Sequence, residues 1–330
     1  MEKRFSVKEA KKSLYFTDIL DEYPDALLQE VYAEPENKHI TYYVFTGSDK
    51  YILKTFTCSL ENTEEYNAFK AKFKLHTKMA KKTKNVLKPI AIKECKRKNT
   101  NEVHVEALYE YADKDLTELI GKVKASVVLE IVKKSLESLA MLTKGTNFHF
   151  NVKPENLLFE NEALKVIDFG ISKSRHSKTL IIQNSNMKYT YAYCPPEIHQ
   201  ERVQLGKVDV YCWGMTIYQL ITGKSEKKLN NEVRRYKLPG KDYNKFLDIV
   251  RSIKLINDNN ISKQIIPMLL DVLSEDPEKR PEFKDLNAQL KKVSGTYLVL
   301  VESNTSLKSI RQQLANEIKS ENPDLGKNRR

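Results

Sequence analysis

The sequence predicts an α+β chain folded as a small β-rich lobe followed by a larger helical lobe, with a cleft between them. Three observations carry this expectation. Between Leu27 and Tyr111 the apolar residues fall in short β-branched and aromatic runs, the pattern of strands. After Asp115 they recur at helical spacing. The length of 330 residues also suits two lobes of roughly 150 each.

Each element follows from local pattern. The first 24 residues are polar, with one short amphipathic piece from Leu14 to Leu20. Thr41–Phe45 and Lys50–Lys54 flank Thr46-Gly47-Ser48-Asp49 and read as a hairpin. Asn62 with Glu65 three places on reads as a capping box, and Tyr66, Phe69, Phe73 and His76 then repeat at helical spacing. Two further strands are expected near Ile90–Lys93 and Val103–Tyr109. In the second half Val127–Leu142 carries apolar residues at 128, 131, 132, 136, 139 and 142, a buried helix. Val210–Ile221 is apolar almost all round, which predicts a central helix, and Ile265–Leu273 is another helical stretch. At the end Leu307, Ile310, Leu314 and Ile318 predict one amphipathic helix, followed by a frayed stretch from Glu321 to Arg330.

Composition excludes several classes. The chain has 56 Lys+Arg against 44 Asp+Glu, a formal charge of +12, yet 40% hydrophobic residues, enough for a core. No apolar run approaches the ~18 residues of a membrane span, and no apolar stretch follows the charged start as a signal peptide requires. The four cysteines, Cys58, Cys95, Cys194 and Cys212, form no CxxC pair. Reduced thiols and a cytoplasmic location are expected. Only one of the ten glycines, Gly47, lies in the first 120 residues. A glycine-rich phosphate loop in the first lobe is therefore excluded.

Three strings in the helical half carry the chemistry. His149-Phe150-Asn151-Val152-Lys153-Pro154-Glu155-Asn156-Leu157-Leu158 comes first, then Val166-Ile167-Asp168-Phe169-Gly170, then Tyr193-Cys194-Pro195-Pro196-Glu197. Asp209-Val210-Tyr211-Cys212-Trp213-Gly214 and Asp276-Pro277-Glu278-Lys279-Arg280-Pro281 follow. Together they resemble the eukaryotic protein kinase family: its catalytic loop, its DFG and APE motifs, its central helix and the arginine segment that pairs with the APE glutamate. The resemblance runs from about residue 25 to 294. It implies an N-lobe over 25–112 and a C-lobe over 113–295, with an N-terminal extension over 1–24 and a C-terminal tail over 296–330.

The resemblance also assigns roles. Asp168 and Asn156 match the two metal-binding residues, whose hard oxygens suit Mg or Mn. Lys54 matches the lysine that contacts the α and β phosphates of ATP. Lys153 matches the catalytic-loop lysine of the Ser/Thr-directed branch, and Thr190 the threonine of its substrate-facing loop. Glu197 with Arg280, and Asp209, are expected to be structural, and His149 with Phe169 to be packing residues.

The departures matter as much. Asn151 stands where the family has its catalytic aspartate; an amide can orient a hydroxyl but cannot accept its proton. A positioned base is worth ~10²–10⁴ in rate. Phe150 replaces the arginine that reads a phosphorylated activation loop. Val31 to Ile40 carries two glutamates and a proline where a glycine cradle belongs. Ile52 replaces a small alanine against the adenine. Lys72, or Lys74 in the alternative register, falls where a glutamate pairs with Lys54. Two lysines at ~4 Å would repel by ~4 kcal/mol at an effective dielectric of 20.

The expectation is a kinase-like binding or regulatory module, a pseudokinase, with weak metal-dependent ATP binding. The alternative is a Ser/Thr protein kinase with degenerate equipment. Between Lys70 and Lys98 eleven lysines and Arg97 face a single acid, Glu94. This region is expected to dock an acidic protein partner. Nucleic acid is not the expected ligand, since no exposed aromatics or reading helix accompany the charge.

Overall fold

The strand-forming runs of the first lobe pair with their neighbours, as short connections favour. In the computed structural model, which describes residues 4–9, 18–33, 39–47, 49–59, 61, 63–96, 101–112, 114–143, 148–160, 163–168, 179–181, 190–199, 202–238, 240–253 and 259–297, six strands form one antiparallel sheet. They are β1 (Arg4–Ser6), β2 (Leu27–Ala33), β3 (His39–Thr46), β4 (Asp49–Ser59), β5 (Pro89–Lys96) and β6 (Glu102–Glu110), in the order β1-β2-β3-β4-β6-β5. The expected hairpin is β3–β4, in register Tyr43↔Ile52 and Thr46↔Asp49, with Gly47 at φ 51° in the turn. Between β4 and β5 runs helix α1 (Thr63–Ala80). Asn62 of the expected cap, and the Phe69 side chain, lie outside the described residues.

Side-chain alternation gives the sheet two buried faces. Tyr42, Val44, Leu53 and Leu108 line one face, where Val7, Ile19 and Leu20 from the first 24 residues pack against them. Ile52, Ala107 and Tyr109 line the other, toward the cleft. Within the expected extension Arg4–Ser6 adds a strand beside Leu27–Gln29, and Glu22 reaches Lys93 of the opposite edge strand at 3.6 Å. The chain start thus crosses the back of the sheet.

The second lobe is built on helices. They are α2 (Ala125–Leu142), α3 (Leu205–Thr222), α4 (Glu226–Glu232), α5 (Tyr243–Arg251), α6 (Asn259–Val272) and α7 (Phe283–Tyr297). As its all-round apolarity requires, α3 is the centre: Tyr211, Trp213, Met215, Ile217, Tyr218 and Leu220 are all fully buried. The Trp213 indole N–H donates to Ser135 Oγ of α2 at 2.9 Å, satisfying a polar atom in the core. Gly121 and Gly223 meet where the first lobe's exit passes the end of α3. A Cβ on Gly121 would lie 2.7 Å from Gly223 Cα. The helix expected over 307–318 lies outside the described residues.

Two small sheets complete the lobe: β7 (Lys114–Asp115), β8 (Leu157–Glu160) and β9 (Ala163–Val166) in one, β10 (Thr179–Ile181) and β11 (Arg202–Gln204) in the other. This is the bilobal α+β kinase-type architecture that the sequence predicts.

Two buried charges stand out in the helical lobe. Arg280 forks onto Glu197 at 2.5 and 2.8 Å, and its remaining donors reach the carbonyls of Ser274, Glu275 and Lys207. This pairing is bidentate and every donor direction is used, the condition under which a buried ion pair is tolerated. Lys237, in the π-helical turn Val233–Lys237 that continues α4, is buried without a carboxylate at ion-pair distance among the described residues. Its ammonium lies 3.5 Å from Met215 Sδ and over the rings of Tyr211 and Phe246. Burial pulls its pKa down from 10.5 to about 7.

Each makes a prediction. Arg280→Ala is expected to cost roughly 3–5 kcal/mol, because it leaves Glu197 as an uncompensated buried charge. Denaturant unfolding measures it, and an unchanged midpoint would refute the structural role of the pair. For Lys237 the unfolded chain binds the extra proton between pH 7 and 10.5, so stability rises with pH across that window and is lost as pH falls toward 7. Lys237→Met should therefore stabilise the protein most near pH 7, with the gain shrinking as pH approaches 10. A gain independent of pH would mean that Lys237 titrates normally.

Candidate functional site

The site is assembled on the floor of the cleft by hydrogen bonds to buried main chain. Asp209, on the first turns of α3, is fully buried and accepts the N–H of His149 at 2.6 Å and of Phe150 at 2.7 Å. Burial pushes its carboxyl up to about 7, opposed by those two bonds. They hold Phe150 at φ 61°, a left-handed conformation a side-chain-bearing residue adopts only under constraint. His149 is buried and its Nε2–H donates to the Ile167 carbonyl at 3.0 Å. Its Nδ1 accepts from the Asn151 N–H at 3.2 Å. The loop is thereby tied to the segment that presents Asp168, itself left-handed at φ 69°.

The structure brings four of the five predicted site residues into one connected group. Lys54 Nζ lies 3.3 Å from Asp168 Oδ2, both side chains being about a quarter exposed. Asn151 Nδ2 donates a long bond, 3.4 Å, to the Asp168 carbonyl. Asn156 is buried, and its Nδ2 donates to the Asn151 carbonyl at 2.7 Å. Lys153 stands beside this group, and its ammonium donates to Thr190 Oγ1 at 3.2 Å. Phe169 and Gly170 lie outside the described residues.

Asp168 supplies the charge opposite to Lys54. Lys74 is exposed to solvent, and the side chain of Lys72 lies outside the described residues, as do those of Glu64 and Glu65. Cys194 is buried and its thiol is pushed up to about 12, which leaves no thiolate for chemistry.

What this arrangement can hold divides in two. Asp168 and Asn156 offer hard oxygen chemistry beside Lys54, which fits a phosphate-bearing ligand carrying a divalent ion. Among the described residues no group of three or more His, Cys, Asp or Glu could hold a metal alone, so a ligand would have to complete the shell. At the adjoining apolar end Ile52 and Leu158 are both buried, in one cluster. Sequence reading missed Leu158 and Tyr109 as walls of this end. Their signal was position alone: Leu158 stands two places after Asn156, and Tyr109 closes a strand beside β4.

The protein kinase domain family matches residues 43–290, three quarters of the chain. The chain belongs to the protein kinase domain family. This kinase domain is similar to the serine/threonine-protein kinase MPS1 of Encephalitozoon cuniculi, 23% identical over 194 residues that cover 56% of the chain and 30% of the relative. It is similar to the Wee1-like protein kinase of Arabidopsis thaliana, 27% identical over 169 residues, 50% of the chain and 29% of the relative. It also resembles the serine/threonine-protein kinase PknB of Mycobacterium leprae, 28% identical over 120 residues, 35% of the chain and 19% of the relative. The kinase domain thus spans less than a third of the length of these relatives. No helix among its described residues is long and apolar enough to cross a membrane.

Proposed function

We propose that this kinase domain is a pseudokinase, a cytoplasmic signalling module that binds and regulates without efficient phosphotransfer. One observation carries the reading: the apex of the catalytic loop presents the amide of Asn151, already engaged with the Asp168 carbonyl. The nearest polar side chains offer no replacement. Lys153 is a cation bonded to Thr190, His149 is buried with both nitrogens occupied, and Asp168 carries Lys54. Among the described residues, a hydroxyl brought to this place has none of these groups free to take its proton.

A second reading, a weakly active Ser/Thr protein kinase using ATP with Mg or Mn, is favoured by the Lys54–Asp168 and Lys153–Thr190 contacts. Phosphotransfer rests mainly on positioning and charge, and these pairs supply part of both. The Ser/Thr kinase relatives point the same way.

The partner we propose is an acidic protein segment. Lys74, Lys78, Lys81, Lys82 and Lys84 are exposed at the end of α1, and none makes an ion pair among the described residues. Lys74 and Lys78 stand one helical turn apart on α1 and repel, a cost that an acidic partner removes.

Two experiments test these readings. Asn151→Asp restores a proton acceptor; the pseudokinase reading expects transfer to a generic Ser/Thr peptide to stay near background. Base catalysis alone is worth ~10²–10⁴, less than lost alignment removes. Robust transfer by the unmodified protein, abolished by Lys54→Ala, would establish the second reading instead. For the surface, a fluorescent poly-glutamate peptide should bind in a salt-sensitive manner and lose binding when Lys78 and Lys82 are both changed to Glu. Binding unaffected by the double change would remove this surface from consideration.

A further inference from the structure

The polar and apolar ends of the cleft are joined by sequence spacing. Ile52 lies two residues before Lys54 on β4, so both belong to the same face of the strand. Leu158 lies two residues after Asn156, and Ile167 immediately precedes Asp168. A ligand that set phosphates against Lys54, Asn156 and Asp168 would set any attached base between Ile52 and Leu158. Ile52 keeps 4% exposure and Leu158 6%, and both lie in one buried cluster with Ala107, Tyr109, Ala112 and Ile167. The walls of an open slot touch water; these are almost wholly withdrawn from it.

The closure is held from several sides. Behind it, Tyr109 packs edge-on against His76 at 5.1 Å, whose Nε2–H donates to the Leu87 carbonyl at 2.6 Å. At the rim Tyr43, directly across the ladder from Ile52, meets Tyr111 edge-to-face at 5.4 Å, and the Lys50 ammonium sits 5.1 Å over the Tyr111 ring. Ile52 itself has little freedom to leave. It is β-branched, with restricted χ1, and β4 is paired on both edges, to β3 and to β6.

We propose that Ile52 occupies the place of a nucleobase: it closes the slot, joins the two lobes through apolar contact without nucleotide, and limits the cleft to ligands that carry no base. This goes beyond the missing proton acceptor, because it concerns which ligand enters and not what happens to it.

The test compares Mg–ATP with Mg–tripolyphosphate by thermal shift. The unmodified protein should respond equally to both, whether strongly or not at all, since the adenosine finds no slot. Ile52→Ala should lower the melting temperature of the unliganded protein, because it removes part of a packed cluster. It should also make ATP bind ~10-fold or more tighter than tripolyphosphate, about what stacking a base supplies. If Ile52→Ala does not fold, Ile52→Val removes one methyl group, keeps the branched strand residue and should give a smaller preference of the same sign. Preferential binding of ATP by the unmodified protein would overturn the inference. So would an Ile52→Ala variant with unchanged melting temperature, or one that still fails to distinguish the two ligands. Preferential binding of ATP over tripolyphosphate without phosphotransfer would overturn this inference and leave the pseudokinase reading standing.

Discussion

The two hydrogen bonds that Asp209 accepts from the backbone of His149 and Phe150 are the constraint on which the site depends. The carboxylate is carried by α3, the helix around which the larger lobe is packed. Its burial is costly, as the upward displacement of its pKa shows, and the two N–H donors offset part of that cost. In return a left-handed Phe150 is fixed in place. From there the order propagates: His149 holds the Ile167 carbonyl, Asn156 holds the Asn151 carbonyl, and Asn151 reaches the Asp168 carbonyl. Side chains separated by up to 60 positions thus share one framework anchored in the best-packed part of the molecule.

On that framework the cleft keeps one half of a phosphate-handling site and changes the other. The cationic and anionic groups, Lys54 and Asp168, neutralise each other at 3.3 Å. In the proposed reading the proton acceptor is lost at Asn151, and the base-side cavity is filled at Ile52. These changes affect different steps, proton removal and ligand entry, and neither disturbs the scaffold. The Glu197–Arg280 pair, the Asp209 anchor and the buried face of α3 do not depend on what the cleft contains. A domain of this kind can keep its shape and its surfaces while its chemistry is reduced.

The sequence by itself determined the elements whose pattern is periodic or whose spacing is fixed by covalent reach. The β3–β4 hairpin, the buried helix over Ala125–Leu142 and the central helix α3 were legible because burial of one face, or of all faces, writes a repeat into the chain. The catalytic-loop residues and Thr190 were legible because they lie in short motifs, whereas the bond from Lys153 to Thr190 came only with the fold. Composition also showed that a glycine cradle was absent. Tertiary structure alone decided the rest. Arg4–Ser6 is too short to announce itself as a strand and becomes one only because the β2 edge offers unpaired backbone groups. The pairing of Lys54 with Asp168 could not be read along the chain, since the two residues are 114 positions apart. Nor could the filling of the base slot: an isoleucine in place of an alanine names a larger side chain, but whether it narrows a cavity or closes it depends on how near Leu158 and Tyr109 stand. Sequence fixes volumes and periodicities; distances between segments that meet only on folding are set by packing, and those distances govern this cleft.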